Sequence, residues 1–264
     1  MPYQHLLVER QDDVAVVTLN RPQKLNALSQ DLMQEIIKVA EEFREDYESR
    51  VVVFAGAGKH FSAGADLTDP KRKERASRNL LTRLRDSHIG PRMLRVLLDI
   101  PQITIAAVHG AALGGGACIA AALDFRVGST DCRIGFPESG LGMSLSWVSL
   151  PLAVHLVGPA RAKRWVILAS RENAETLLNW GFLDEVVPRE QLMDRAMAMA
   201  KEFAAMPPIP AQMIKRSVNA IATVMDQAIM HMDMDQLALT TSSRDYREGV
   251  TAFLEKRKPN FIGD

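Results

Sequence analysis

One stretch constrains the chain more than any other: Ile103 to Gly116, which reads I-T-I-A-A-V-H-G-A-A-L-G-G-G. The β-branched run Ile103-Thr104-Ile105-Ala106-Ala107-Val108 predicts a short buried strand. Three consecutive glycines follow, then the Ala-rich segment Ala117–Leu123, whose composition favours a helix. The glycines therefore stand where a strand hands over to a helix N-terminus. The first amide N–H groups of a helix have no partner inside it, and the helix dipole is positive at that end. Lacking a Cβ, glycine lets a ligand approach this backbone closely. Such a place suits an anion, or an oxygen that becomes anionic during a reaction. A tight turn whose glycines serve packing alone fits the same residues.

The flanking chain alternates strand and helix signals. Leu6–Glu9 and Val14–Leu19 read as strands, with Gln11-Asp12-Asp13 as the turn of a hairpin. A polar loop, Asn20 to Leu28, leads to Ser29, a candidate N-cap. Leu32, Ile36, Val39, Ala40 and Phe43 then recur at helical spacing. Val51–Gly56 reads as a fully buried strand, followed by a second loop of small residues, Lys59–Leu67. Asp124–Gly128 and Cys132–Phe136 read as short strands, with a turn-rich loop at 137–142. Helices are expected at Trp147–Val157 and Ala160–Leu168, broken at Gly158-Pro159, and at Ala174–Trp180. A late strand falls at Leu183–Val187. Beyond Glu190 the pattern is helical throughout, at 190–205, 211–224, 226–240 and 244–256. This is an α/β pattern, expected to divide into a core over 1–200 and a helical region over 201–264.

Bulk properties exclude several function classes. Lys plus Arg and Asp plus Glu both number 32, so no net field favours nucleic acid or a membrane surface. No apolar run is long enough to span a bilayer, and the first residues lack the basic and apolar regions of a signal peptide. Two cysteines, Cys118 and Cys132, make no disulfide framework, and a reducing cytoplasm is the simplest expectation. His60, His109, His155 and His231 have no metal-site spacing, and no dinucleotide fingerprint is present. No cofactor is expected. Residues 71–99 carry Lys71, Arg72, Lys73, Arg75, Arg78, Arg83 and Arg85 in quick succession. They read as a solvated helix face, or as groups that meet ligand phosphates.

Three motifs carry a resemblance: H-F-S-A-G-A-D-L (60–67), A-A-V-H-G-A-A-L-G-G-G (106–116) and I-G-F-P-E-S-G-L-G (134–142). With L-N-A-L (25–28), W-G-F-L-D-E-V-V-P (180–188) and F-L-E-K-R-K-P-N-F (253–261), the chain resembles the enoyl-CoA hydratase/isomerase (crotonase) superfamily. The resemblance implies a crotonase-like spiral of ββα units with a C-terminal helical region that drives trimerisation, with trimers pairing into hexamers. It implies an acyl-CoA thioester as substrate, with coenzyme A as part of that substrate. The two backbone amides that hold the thioester oxygen would be those of Ala65 and Gly115. Leu25, Ala27, Ala63, Asp66 and Leu67 would line the pantetheine and adenine, with Gly114 and Cys118 beside the acyl group. Lys24, and Lys256 or Lys258, would meet phosphates.

The catalytic pattern departs from that of hydratases, which position water with two glutamates. The second matches Glu138, but the first falls at Cys118. A cysteine there reads as a buried filler, an activated thiolate or a minor polar group. One carboxylate is enough for a 1,3-proton shift, so the reading leans toward double-bond isomerisation of an enoyl-CoA. Hydration with another second group, a non-catalytic acyl-CoA binder and an acyl-CoA hydrolase are the alternatives. Ser144, Ser146 and Trp147 either line the acyl pocket or belong to a helix start and the core.

Overall fold

The computed structural model describes residues 3–71, 74 and 77–264. β1 (Leu6–Gln11) and β2 (Val14–Leu19) form the expected hairpin, turning at Asp12. Ser29 caps α1 (Gln30–Glu42) by accepting the Leu32 amide, as its position predicts. β3 (Val51–Gly56), α2 (Leu80–Ser87), α3 (Ile89–Leu98) and β4 (Ile103–Val108) follow. The central stretch continues through β5 (Ala111–Leu113) into α4 (Gly115–Ala122), then β6 (Phe125–Ser129) and β7 (Arg133–Gly135). Next come α5 (Ser149–Val157), α6 (Pro159–Ile167), β8 (Arg171–Asn173), α7 (Ala174–Trp180) and β9 (Glu185–Val187). The chain ends in helices: α8 (Leu192–Ala204), α9 (Pro208–Ala222), α10 (Gln227–Met230), α11 (Asp233–Ser242) and α12 (Arg244–Glu255).

The main sheet has the order β1-β2-β3-β4-β6-β9 and is parallel except for the first pair. β5, β7 and β8 form a second, smaller sheet. Isolated bridges Ser62–Ala112 and Leu28–Ala65 continue this second layer back along the chain. Each turn of the chain thus places a strand in the main sheet, a short extended piece in the second layer, and then a helix. β4, β5 and α4 make one such turn. This is a crotonase-type spiral of ββα units.

Both faces of the main sheet are covered, which explains the uninterrupted apolar run of β3. Val14, Val16, Val51, Val53, Ile105 and Ala107 pack against Leu192, Ala196 and Met199 of α8. The alternate residues Ala15, Val17, Val52, Phe54, Ala106 and Val108 join α1, α3 and α4 in the larger core.

Three local expectations change. β5 and β8 carry no strand signal, because A-A-L and R-E-N lack β-branched residues and pair only through neighbouring turns of the spiral. The helix expected over 226–240 is two helices, α10 and α11. α5 begins at Ser149 rather than Trp147, because Trp147 and Val148 adopt left-handed backbone angles, φ +62° and +56°. Among the described residues no helix is long and apolar enough to cross a membrane. Arg72, Lys73 and Arg75 lie outside the described residues. Arg78 is held by Glu74 and Asp86, as befits a solvated face.

The C-terminal helices are fastened to the spiral. Lys215 of α9 bonds Asp124 at 2.6 Å and donates to the Gln102 carbonyl at 2.8 Å, with its ammonium buried. α12 lies directly on the short 3-10 turn Ser139–Leu141, where a Cβ on Gly249 would come within 2.6 Å of the Leu141 carbonyl carbon.

Candidate functional site

Successive strand-to-helix loops stack edge to edge. Ala63 N–H donates to Leu25 O at 3.0 Å, Leu28 N–H to Gly64 O at 2.7 Å, and Asp66 N–H to Leu28 O at 3.0 Å. Leu113 N–H donates to Ser62 O at 3.0 Å, and Gly114 N–H to Gly135 O at 2.9 Å. Four turns of the spiral therefore converge at one place. The stacking bonds around Ala65 use its neighbours' polar groups and leave its own amide out. Gly115 is the first residue of α4, so its amide has no acceptor inside the helix. The two meet because Gly64 is a glycine. It has φ +89°, and a Cβ there would lie 2.5 Å from Leu113 O and 3.4 Å from Gly115 N. The Gly64 turn, which carries Ala65, thus lies against the N-terminus of α4 at Gly115.

Glu138 sits on the same spot from the next turn. A Cβ on Gly114 would lie 2.9 Å from Glu138 Oε1. The turn after Glu138 is anchored by Ser139 Oγ, which donates to Val166 O at 2.6 Å. Behind it Phe136 packs edge-on against Trp165 at 4.8 Å. Glu138 is 9% exposed and its Oε2 is buried without a partner among the described residues. Burial pushes its carboxyl up from the ordinary 4.5 to about 7. Among the described residues no cation opposes that push, and only a backbone hydrogen bond acts against it.

Cys118 lies one turn along α4 and is 2% exposed. Burial drives its thiol well above the ordinary value, and the nearby Glu138 charge pushes the same way, against the Ser149 hydroxyl. These surroundings favour a neutral thiol, against the activated thiolate and for the buried filler.

The predicted coenzyme-A positions form one rim. Leu25 is exposed, and Ala27, Ala63 and Leu67 are half-buried. Asp66 is buried, and its carboxylate is spent inside the protein. Arg21 reaches it at 3.1 Å, and Thr68 N–H and Oγ1 donate to it at 3.0 and 2.7 Å. It braces the rim. Lys24, Lys256 and Lys258 are exposed.

Asn26, Ser62 and Arg21 support the rim in roles that sequence reasoning does not assign. Asn26 holds the left-handed rim turn, φ +52°, with every polar side-chain atom engaged. It accepts from Arg21 N and donates to Ala57 O and His60 O at 2.8–2.9 Å. Ser62 Oγ donates to Asn26 O, and Arg21 joins the two rim loops through Ala27 O and Asp66. The signal for Asn26 was present in L-N-A-L. Trp147, which the sequence offers as a pocket or core residue, stands nearby. Its indole stands over Gly115, where a Cβ would meet Trp147 Cζ3 at 2.6 Å and Leu28 Cδ1 at 2.7 Å. His109 is packed and bonded to Gly58 O at 3.1 Å, outside this site. Among the described residues no His, Cys, Asp and Glu cluster could hold a metal ion.

A spiral of ββα units whose strand-to-helix loops stack beside a buried carboxyl group defines a crotonase-type protein. A family model described as enoyl-CoA hydratase/isomerase matches residues 9–264, and the chain belongs to that family of enzymes. It is 31% identical to the crotonyl-CoA hydratase of Syntrophomonas wolfei over 99% of both chains. It is also 31% identical to the 1,2-epoxyphenylacetyl-CoA isomerase of Escherichia coli, over 95% of both. The solved structure of an enoyl-CoA hydratase from Mycobacterium avium subsp. paratuberculosis K-10 matches it with TM-score 0.86 and 27% identity, covering 99% of this chain and 100% of that one.

Proposed function

We propose that this enzyme isomerises the double bond of an enoyl-CoA, with Glu138 as its single acid/base and the Ala65 and Gly115 amides as its oxyanion hole. The observation that carries this is the pairing of one buried carboxyl, poised near 7, with a neutral buried thiol where a second carboxylate would stand. In a 3-enoyl thioester, ionised Glu138 takes a proton from C2. The electron pair moves onto the thioester oxygen through a dienolate. Both amides donate to that oxygen, and their bonds strengthen as charge grows; losing one such donor typically lowers the rate about 10²–10³-fold. Glu138 then returns the proton at C4, and the double bond is left between C2 and C3. The carboxylate ends as it began, so one group completes the cycle. Apolar walls from Leu28 and Trp147 keep water from the dienolate.

Hydration is the second reading, favoured by the names of relatives such as the crotonyl-CoA hydratase. One experiment decides. The enzyme is given crotonyl-CoA and a trans-3-enoyl-CoA in D₂O, and double-bond position, water addition and free CoA are followed. A shifted double bond with deuterium at C2 or C4 supports isomerisation. Water addition with no shift supports hydration. Release of CoA supports hydrolysis, and binding without exchange leaves a thioester binder. In this reading the chain works as a trimer or hexamer in the cytoplasm, without cofactor, nucleic acid or membrane. Sedimentation tests the assembly.

A further inference from the structure

We propose that Trp147 is the wall that limits the length of the acyl group, and that Asp233 is the positioning residue that holds it there. The inference rests on the thioester oxygen lying at Ala65 and Gly115, as above. Its starting point is backbone geometry. Trp147 and Val148 both have positive φ, +62° and +56°. For a bulky residue followed by a β-branched one, this is an outlier conformation that persists only when its surroundings enforce it.

The enforcing groups are on the page. Asp233, the first residue of α11, is 8% exposed, and its Oδ2 accepts the Val148 amide at 3.3 Å. On the other side Ser149 Oγ donates to Trp147 O at 3.0 Å. Ser144, three residues earlier, donates its amide to Thr240 Oγ1 of α11 at 3.2 Å. The strained turn is thus fastened to the C-terminal helices at both ends.

The turn aims the indole into one slot. A Cβ on Gly90 of α3 would lie 2.2 Å from Trp147 Cε2, and a Cβ on Gly115 would lie 2.6 Å from Cζ3. Two glycines on separate helices make room for this one ring. Gly115 supplies an amide to the thioester oxygen, so the acyl carbons must leave that amide alongside the indole. Leu28, fully buried, meets the indole at the same spot over Gly115. A short enoyl group ends before this wall, whereas a long chain has to displace the ring.

The test compares four-carbon with ten-carbon thioesters in the full-length enzyme. Turnover of the enoyl-CoAs and binding of the saturated acyl-CoAs, which do not react, are both measured. The wild type should favour the four-carbon ligand. Trp147→Ala should raise the ten-to-four-carbon ratio at least about tenfold, within the range that pocket methylenes control. Asp233→Ala should move the ratio the same way, and Asp233→Asn, which keeps an acceptor oxygen, should largely restore it. A general loss of folding lowers both ligands together and leaves the ratio alone. An unchanged ratio in Trp147→Ala, or a wild type that already prefers ten carbons, overturns the proposal. If turnover is absent but binding shows the length preference, the isomerase reading fails and this one stands.

Discussion

Glu138→Gln tests the site through stability as well as rate. The folded protein holds the Glu138 proton up to about pH 7, while the ordinary value in a solvated chain is 4.5. Between those limits the folded state binds more protons than the unfolded state, so stability falls as pH rises. The interval is worth about 3 kcal/mol, at roughly 1.4 kcal/mol per pKa unit. Glutamine is neutral throughout and has no such slope. Its amide inherits the unpartnered position of Oε2, at about 1–3 kcal/mol, but that offset does not vary with pH. The stability of Glu138→Gln relative to wild type should therefore rise between pH 4.5 and 7 and level off above. Urea unfolding at fixed protein concentration, repeated across that range, measures it. Proton transfer should fall about 10²–10⁴-fold in the same variant, and wild-type kcat/KM should rise with pH through about 7, because the free enzyme needs the ionised base. Parallel stability curves for the two proteins would refute the buried-carboxyl argument. An active Gln variant would refute the catalytic assignment.

Three further outcomes follow from named contacts. Gly114→Ala places a Cβ 2.9 Å from Glu138 Oε1 at φ +51°, so kcat should drop by at least about tenfold while CoA affinity by calorimetry stays close to wild type. Cys118→Ala should keep turnover within about tenfold, and iodoacetamide should not inactivate the native enzyme, since a buried neutral thiol is a poor nucleophile; rapid alkylation with loss of activity would restore the thiolate reading. Lys215→Met leaves Asp124 without its buried partner and should lower stability by about 3–5 kcal/mol, seen as a fall in Tm.

The parts legible in the sequence were those with a local physical signature. β3 and β4 fall where β-branched runs placed them, and Ser29 caps α1 as its position predicts. The glycines of 114–116 do begin a helix, and Gly64 and Gly114 are needed for close approach rather than for turning alone. What stayed hidden depends on non-local partners. β5 is a strand only because Ala112 meets Ser62 and Ile134 on neighbouring turns of the spiral. Asp66 is expected to line the coenzyme A, and its ion pair with Arg21, 45 residues earlier, has no local signal. Trp147 had no turn signal, because a Trp-Val pair adopts left-handed angles only when distant groups such as Asp233 demand it.

The C-terminal helices brace the loop that carries Glu138. The segment from Glu138 to Ser149 carries the carboxyl, the strained turn and the indole, and α11 and α12 touch it at successive points. Asp233 takes the Val148 amide, Thr240 the Ser144 amide, and Gly249 admits Leu141. A Cβ on Gly142 would strike Asp245 at 2.7 Å, and Asp245 in turn accepts the amides of Ile262 and Gly263 at 2.8 and 2.9 Å. A carboxyl that must stay dry and within reach of both C2 and C4 needs a fixed wall behind it. In this chain that wall is braced by residues some hundred positions further along, so under the proposed mechanism a change at the C-terminal end should lower proton transfer through packing, without touching the substrate.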